Sequence, residues 1–322
     1  WNWSKENPNI FWSEVWDFVK INGKKGKIVL KKNKIFNKNV FFPDSKINFA
    51  RNLLVKKNDN IAINFLSESL LEKKITWKNL YKHVCQFSSY LKKNGIKKGD
   101  VVSAYVPNCI ETVVTFLGSA KNGSIWSSCS PDFGVNGVLE RFSQIKPKVL
   151  ITCDYYFYNG KKVNILEKIP DIINKIKSIK KVIIFSYENK LTANINFDYT
   201  DFSKIIETED VDEVFIEHEF NHPLYILYSS GTTGVPKCIT HGAGNVLIEH
   251  KKEHLLHCDI KDGDGVFYYT TTGWMMWNWL ISSLSCGATL NLFDGSPVYP
   301  SINVLIKLCA DNDISLFGVS AK

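Results

Sequence analysis

The sequence predicts an α/β fold built from layered βαβ units. Apolar runs such as 101–106 and 181–185 recur along the chain, and segments with apolar residues at helical spacing lie between them. Asparagine-glycine pairs mark several of the junctions, as at 94–95 and 122–123. Strands that alternate with helices of roughly ten or more residues form parallel sheets, with helices packed on both faces.

The first half of the chain begins with tryptophan and phenylalanine at irregular spacing, which predicts an N-terminal helix and an extended strap. After a strand at 61–65, helical spacing of apolar residues predicts a helix over 77–93. Thr76 is placed to cap the start of this helix, and Gly95 is placed to end it. The elements predicted next are a strand at 101–106, a helix at 111–121, an extended segment from 125, a helix at 135–145, a strand at 148–152, a helix at 163–177 and a strand at 181–185.

The second half follows an irregular, acidic and asparagine-rich connection at 186–222. Its predicted elements are a strand at 224–228, a helix at 243–256, a strand at 265–269, a helix at 276–285, a strand at 288–293, a helix at 301–312 and a closing strand. The predicted organisation is an N-terminal helix and strap at 1–45, a first α/β subdomain at 46–222 and a second one at 223–322. Because the chain lacks an initial methionine and stops just after a core strand, we expect a fragment.

Composition narrows the class of protein. A hydrophobic content of 44% with 22% charged residues is ordinary for a globular protein. The net charge is +8, but Arg51 and Arg141 are the only arginines, whereas nucleic-acid readers depend on arginine for bidentate contacts. We therefore expect no nucleic-acid partner. The apolar runs are too short to span a membrane, and 8 cysteines without a Cys-x-x-Cys pair favour a reducing, cytoplasmic setting.

The segment Tyr225–Lys237 carries the strongest functional signal. It reads Tyr-Ile-Leu-Tyr-Ser-Ser-Gly-Thr-Thr-Gly-Val-Pro-Lys, an apolar strand that ends in hydroxyls, two glycines and a lysine. Glycines let the backbone approach an anion, and free N–H groups and hydroxyls can surround phosphate oxygens. The spacing does not match a Walker A loop, which has four residues between its first glycine and the Gly-Lys pair. A loop without ligand would be the ordinary alternative.

A second loop, 270–276, follows the strand at 265–269, just as the first loop follows the strand at 224–228. Ligands of α/β sheets bind beyond the carboxyl ends of the strands, so the two loops could face one ligand. His241 could meet that ligand or could simply enter the next helix. For His250, His254 and His257, we expect a solvated helix face rather than a zinc site, because no carboxylate or cysteine ligand converges on them.

These segments resemble the adenylate-forming acyl-CoA synthetases. Residues 228–237 are similar to the phosphate-loop signature of that family. The segments that resemble its acetoacetyl-CoA synthetase branch are 42–54, 126–135 (Trp-Ser-Ser-Cys-Ser-Pro-Asp-Phe-Gly-Val), 140–150, 269–278 (Tyr-Thr-Thr-Thr-Gly-Trp-Met-Met-Trp-Asn), 287–289 and 294–297. The likeness extends over essentially the whole chain. It implies the N-terminal domain of the family, incomplete at its C-terminal end.

The resemblance implies a ligase that joins acetoacetate to ATP, releases pyrophosphate and passes the acyl group from AMP to coenzyme A, with Mg²⁺ as a further cofactor. The residues that it assigns to the ATP phosphates are Ser229, Ser230, Gly231, Thr232, Thr233, Gly234 and Lys237. It assigns the acyl pocket to Trp274, Met275 and Met276, and more weakly places Lys161 near coenzyme A. The magnesium-binding and catalytic residues, and a small C-terminal domain, are expected beyond Lys322.

Two alternatives stay open at this point. One is a short-chain acyl-CoA synthetase that takes acetate or propionate, and the other is a non-catalytic fragment that binds ATP. The partners expected in either catalytic case are small molecules, and the sequence predicts no oligomeric state.

Overall fold

The computed structural model describes residues 1–35, 38–188, 191, 194–209, 211–229 and 234–320. Its helices are α1 (Asn2–Glu6), α2 (Pro8–Phe18), α3 (Phe49–Leu53), α4 (Trp77–Lys93), α5 (Ile110–Asn122), α6 (Val135–Ile145), α7 (Ile169–Lys175), α8 (Phe202–Ile206), α9 (Ala243–Lys252), α10 (Met275–Ser282) and α11 (Val304–Asp311). Its strands are β1 (Gly23–Lys24), β2 (Leu30–Lys31), β3 (Val40–Phe41), β4 (Lys46–Ile47), β5 (Ile61–Ser67), β6 (Glu72–Thr76), β7 (Val101–Tyr105), β8 (Ile125–Cys129), β9 (Val149–Cys153), β10 (Tyr155–Tyr158), β11 (Lys161–Asn164), β12 (Lys181–Phe185), β13 (Thr200–Asp201), β14 (His218–Glu219), β15 (Pro223–Ser229), β16 (Lys237–Gly242), β17 (Gly265–Tyr268), β18 (Thr289–Asp294) and β19 (Ile314–Gly318).

The larger of two main sheets has, among the described residues, seven strands in the order β13-β12-β9-β7-β8-β15-β16. Every neighbouring pair is parallel except β15 and β16, which form an antiparallel hairpin at one edge. Strands β7, β8 and β9 are almost wholly buried, as expected for parallel strands covered by helices. The predicted α/β class is therefore confirmed, with β16 as an exposed edge strand.

The second main sheet has the order β19-β17-β18-β5-β6 within the described part of the chain. Its strands are again parallel apart from one edge, where β6 runs antiparallel to β5. Strand β5 pairs with β18 in a register that joins Ile63 to Leu290 and Ser67 to Asp294. An N-terminal strand is thus the neighbour of one that lies more than two hundred residues later in the sequence.

The sheets do not follow the predicted boundary at residue 222. The larger sheet adds β15 and β16 from beyond this residue, and the smaller sheet takes β5 and β6 from before it. Each main sheet therefore contains strands from both sides of residue 222. The predicted parts 1–45, 46–222 and 223–322 stay a prediction of domain organisation.

Helix α5 joins the two sheets through one aromatic side chain. Phe116 is fully buried, and its ring lies 5.7 Å from Trp126 of β8 and 6.4 Å from Tyr225 of β15. On the side of the smaller sheet, it lies 5.5 Å from Trp277 of α10. Burying such large rings against each other is a major source of core stability, so α5 holds both sheets in one hydrophobic core.

Most predicted helices and strands lie where the sequence placed them, but several segments differ. The connection at 186–222, predicted as irregular, contains β13, α8 and β14. The helix predicted at 163–177 is shorter, since β11 occupies Lys161–Asn164 and α7 begins only at Ile169. The segment after the Tyr225–Lys237 loop also forms the edge strand β16 before helix α9 begins. Strands β11 and β16 both belong to hairpins. The pairing of such a strand depends on its neighbour rather than on a periodicity in its own sequence.

Candidate active site

The β15–β16 hairpin places the predicted phosphate loop at the carboxyl edge of the larger sheet. Leu224 to Leu227 are buried, which fixes β15 in the sheet, whereas β16 is largely exposed. Ser229 and Lys237 are partners across the hairpin, so they lie at the two sides of the loop entrance. Ser230, Gly231, Thr232 and Thr233 lie outside the described residues, and their assignment to the ATP phosphates stays a prediction.

The described end of the loop offers accessible backbone and a positive charge. Gly234 has φ +103°, a conformation that favours glycine, and a Cβ at this position would meet nothing within 4 Å. Lys237 is exposed. The Pro236 carbonyl accepts a hydrogen bond from Gln144 Nε2 at 2.8 Å, which ties this arm of the loop to α6. An anion could therefore approach the backbone at Gly234 beside the ammonium group of Lys237.

The base of the loop is held by Tyr228 and Arg141. The Tyr228 hydroxyl and Ser127 Oγ are 3.0 Å apart, and burial raises the pKa of Tyr228, so the phenol stays protonated. The Arg141 guanidinium lies 4.2 Å above the ring of Phe133 and 5.7 Å from that of Tyr228. These cation–π contacts link α6 to β15. The sequence analysis assigned no role to Arg141.

A cleft of about 680 Å³ opens between the β15–β16 hairpin, α9 and α10. The residues that line it are Tyr225, Thr240, His241, Gly242, Asn245, Val246, Glu249, His250, Glu253, Met275, Met276 and Trp279. The hairpin contributes Tyr225 and residues 240–242, which lie at the end of its two strands away from the predicted phosphate loop. Met275 and Met276 line it, whereas Trp274, 63% exposed at the start of α10, does not. The acyl-pocket role of these three residues stays a prediction.

The wall of the cleft on α9 differs from the sequence expectation. His250 and His254 are buried rather than on a solvated helix face, and only His257 is exposed. His254 packs against Trp279 with ring centroids 4.3 Å apart, and neither of its ring nitrogens has a hydrogen-bond partner among the described residues. The reason for the error is that α10 covers this face of α9. Local periodicity does not show which face a later helix will cover.

A second, narrower cavity of about 130 Å³ lies where the carboxyl ends of both main sheets meet. Its wall includes Asn108 after β7, Asp132 after β8, Tyr269 after β17, and Asp294 at the end of β18. Asp294 accepts hydrogen bonds from the Tyr187 hydroxyl at 2.7 Å and the Asn108 backbone N–H at 3.2 Å. Burial nevertheless raises the pKa of Asp294 to about 7. The sequence analysis did not find this site, although Asp294 and Gly295 follow a predicted strand.

The β10–β11 hairpin carries Lys161 and reaches the rim of this second cavity through Tyr158. Asn159 and Gly160 form its tight turn, both with positive φ, as asparagine-glycine turns of hairpins require. Their backbone N–H groups donate to the buried Glu68 carboxylate at 2.8 Å each, and so does Ser296 at 2.7 Å. Lys161 is exposed beside this turn, and its predicted contact with coenzyme A stays a prediction.

Comparison with known proteins assigns this geometry to a family. The family model of AMP-binding enzymes matches residues 50–321. The chain belongs to the AMP-binding enzyme family. This match includes the hairpin loop, both cavities and every predicted site residue.

Relatives of this AMP-binding enzyme include acetoacetyl-CoA synthetases. It is 42% identical to acetoacetyl-coenzyme A synthetase of Rhizobium meliloti over 322 residues, and 42% identical to acetoacetyl-CoA synthetase of Xenopus tropicalis over 340 residues. Each alignment covers 100% of this chain and 50% of the relative. The solved acetoacetyl-CoA synthetase of Streptomyces lividans superposes with a TM-score of 0.93 at 34% identity, over 99% of this chain and 49% of that one. The chain spans about half the length of the relatives it matches.

Within the described ranges, no group of three or more histidine, cysteine, aspartate or glutamate side chains could hold a metal ion. None of the helices described above is long and apolar enough to cross a membrane.

Proposed function

We propose that this chain supplies the phosphate loop and the acyl cleft of an AMP-forming acid–thiol ligase that converts acetoacetate, ATP and coenzyme A into acetoacetyl-CoA. The observation that carries the proposal is the likeness to acetoacetyl-CoA synthetases over the whole chain, from a bacterium and from a vertebrate. The cleft between the β15–β16 hairpin and α10 supports it, because Met275 and Met276 of the second predicted loop line this cavity together with the end of β16, the strand that follows the phosphate loop.

In this proposal, the hairpin loop binds the β- and γ-phosphates of ATP. Ser229, Gly234 and Lys237 would act together with Ser230, Gly231, Thr232 and Thr233. A carboxylate is a poor electrophile, whereas its adenylate is a good one because AMP leaves readily. Activation at phosphorus depends mainly on positioning and on neutralising charge. The exposed Lys237 ammonium and the open backbone at Gly234 suit this role, since both can approach a polyphosphate without rearranging a packed core.

The acid would enter the cleft beside Met275 and Met276, with Trp274 closing over it from the start of α10. The Met side chains are adaptable and apolar, which suits a small acyl chain. Coenzyme A would approach along the β10–β11 hairpin, where Lys161 can meet a phosphate group. Mg²⁺ would accompany ATP, because sites for this ion commonly use substrate phosphates and water together with one or two carboxylates. A cytoplasmic setting belongs to the proposal and agrees with eight free cysteines.

Pyrophosphate release by the full-length protein tests the proposal. The assay compares acetoacetate, acetate and propionate, each with ATP, Mg²⁺ and coenzyme A. We expect acetoacetate to give the highest kcat/KM, and we expect its continued turnover to require ATP, Mg²⁺ and coenzyme A. Faster turnover of acetate or propionate would contradict the assignment of the acid, and no pyrophosphate with any acid would contradict the enzyme class.

A further inference from the structure

His250 provides a polar group in the wall of an otherwise largely apolar part of the acyl cleft. It lies on α9, is 7% exposed and lines the cleft together with Met275 and Met276 of α10. Its Nδ1 is 2.9 Å from Oγ of Ser282, which lies nearly two turns after these methionines on α10. The ring is therefore held in one orientation by a side chain of the helix that carries the predicted acyl pocket.

The second ring nitrogen of His250 opens into the cleft. Nε2 has no hydrogen-bond partner among the described residues, yet it is not sealed in the core as both nitrogens of His254 are. Burial lowers the pKa of His250 to about 4, so the ring is neutral at pH 7 and carries one N–H. The position of that proton decides whether Nε2 donates a hydrogen bond to a ligand in the cleft or accepts one from it.

Ser282 allows either position of the proton. Its hydroxyl lies 2.9 Å from the Asn278 carbonyl and can donate to it, in which case it accepts from His250 Nδ1–H. When the hydroxyl rotates and donates to Nδ1, the proton of the ring is on Nε2 and points into the cleft. A ligand atom that accepts a hydrogen bond stabilises this second arrangement. The Ser282–His250 pair can thus present a buried donor.

The charges around the cleft orient the acid. Glu253 at the end of α9 lines the cleft near His250 and repels a carboxylate, whereas Glu249 beside it is paired with Lys252 at 3.1 Å. Lys237 lies at the opposite end of β16. His241 is the fourth residue after Lys237, which is about 13 Å along an extended strand. The carboxylate of the acid therefore faces the hairpin loop, where ATP is expected, and the other end of the acid faces α9.

We propose that His250 Nε2–H donates a hydrogen bond to the 3-keto oxygen of acetoacetate, and that Ser282 supports this donor. The inference rests on the proposed function and names the group that selects a 3-keto acid over the saturated acid of the same length. Two other donors of the cleft, Trp279 and Asn245, suit the role less. Trp279 Nε1 already donates to Glu253 at 2.9 Å, and Asn245 is an exposed side chain that donates to Asn221.

The test compares acetoacetate with butyrate, which has the same number of carbons but no keto oxygen. The full-length protein and its His250→Leu variant are assayed for pyrophosphate release, and kcat/KM is measured for both acids. Losing a buried hydrogen bond of this kind lowers selectivity by roughly 10- to 100-fold. We expect His250→Leu to reduce the acetoacetate-to-butyrate ratio by that factor, while kcat/KM for butyrate and the KM for ATP change little.

His254→Leu is the matched control, because it removes a buried histidine from the same face of α9 that does not line the cleft. It should keep the ratio of the wild type. An equal fall for both acids in His250→Leu would show a packing role and overturn the inference, as would an unchanged ratio. A wild type that turns over acetoacetate without preferring it to butyrate would overturn the inference alone. A wild type that does not use acetoacetate would overturn the proposed function.

A second pair of variants decides the question if His250→Leu does not fold. The amide nitrogen of glutamine can occupy the position of His250 Nε2, whereas that of asparagine reaches only the position of Nδ1. His250→Gln should therefore keep most of the acetoacetate preference, and His250→Asn should lose it. Equal ratios in these two variants would contradict a donor at Nε2.

Discussion

At the scale of single residues, Lys237 is the charge that the proposal places on the ATP phosphates. It stands opposite Ser229 at the entrance of the hairpin loop and is exposed. Because a hydrogen bond to a charged group contributes about 1.5–3 kcal/mol, Lys237→Ala should raise the KM for ATP roughly 10- to 100-fold. The KM for acetoacetate should change far less. Steady-state kinetics of the full-length protein measures both values.

The control for this variant is Lys177→Ala, which removes an exposed lysine between α7 and β12, away from both cavities. It should leave the KM for ATP unchanged. If Lys237→Ala also leaves the ATP dependence unchanged, the hairpin loop does not bind the phosphates.

Asp294 gives a residue-scale prediction of pH dependence. Because its pKa is raised from 3.8 to about 7 in the folded protein, the unfolded chain loses this proton first as the pH rises. The stability that protonated Asp294 provides at low pH is therefore lost as the pH approaches 7. Asp294→Asn removes this titration, so the variant should gain about 2 kcal/mol relative to the wild type between about pH 5 and about pH 8.

Urea unfolding of the wild type and Asp294→Asn at both pH values measures this difference. A constant difference in the free energy of unfolding between the two proteins would mean that Asp294 titrates alike in the folded and unfolded states. The hydrogen bonds from Tyr187 and Asn108 would then outweigh the effect of burial.

At the scale of secondary-structure elements, Glu68 fastens the β10–β11 hairpin to the smaller sheet. Its buried carboxylate follows β5 and accepts three backbone hydrogen bonds, two from the hairpin turn and one from Ser296 after β18. Glu68→Ala leaves these donors without their partner and should lower the free energy of unfolding by about 2 kcal/mol. Urea unfolding monitored by circular dichroism measures the change.

Glu72→Ala is the control, because Glu72 is an exposed carboxylate on the neighbouring strand β6. Its effect should stay below about 0.5 kcal/mol. Equal effects of the two substitutions would show that the three hydrogen bonds to Glu68 contribute no more to stability than an ordinary surface charge does.

The elements themselves were largely predictable, since periodicity is a local property. Helix α4 begins after the Thr76 cap and ends before Gly95, as the sequence indicates, and the two candidate loops follow β15 and β17. What could not be predicted is what each element packs against. His250 and His254 have the helical spacing of a surface row, and only the packing of α10 on α9 makes them part of a cleft wall.

At the scale of the whole molecule, the two main sheets depend on each other along the chain. Residues 1–222 lack β15 and β16 of the larger sheet and keep only β5 and β6 of the smaller one. We therefore predict that residues 1–222, expressed alone, show no cooperative urea unfolding, whereas the full-length protein does. A cooperative unfolding transition of residues 1–222 alone would support residue 222 as a domain boundary.

The same interleaving explains why sequence patterns do not show which strands share a sheet. The pairing of β5 with β18 joins Ile63 to Leu290, and the local sequence of neither strand indicates which strand it pairs with. The cavity with Asp294 was missed for the same reason, because its walls come from the ends of strands in both sheets. The phosphate loop was found because its glycines, hydroxyls and lysine are contiguous in the sequence.

The proposed function requires the complete enzyme to make acetoacetyl-CoA. A competition experiment tests it most directly. The full-length protein receives ATP, Mg²⁺, coenzyme A and equal concentrations of acetoacetate, acetate and propionate, and mass spectrometry quantifies the coenzyme A thioesters formed early in the reaction. We expect acetoacetyl-CoA to be the main product. A predominance of acetyl-CoA or propionyl-CoA, or the absence of any thioester, would contradict it.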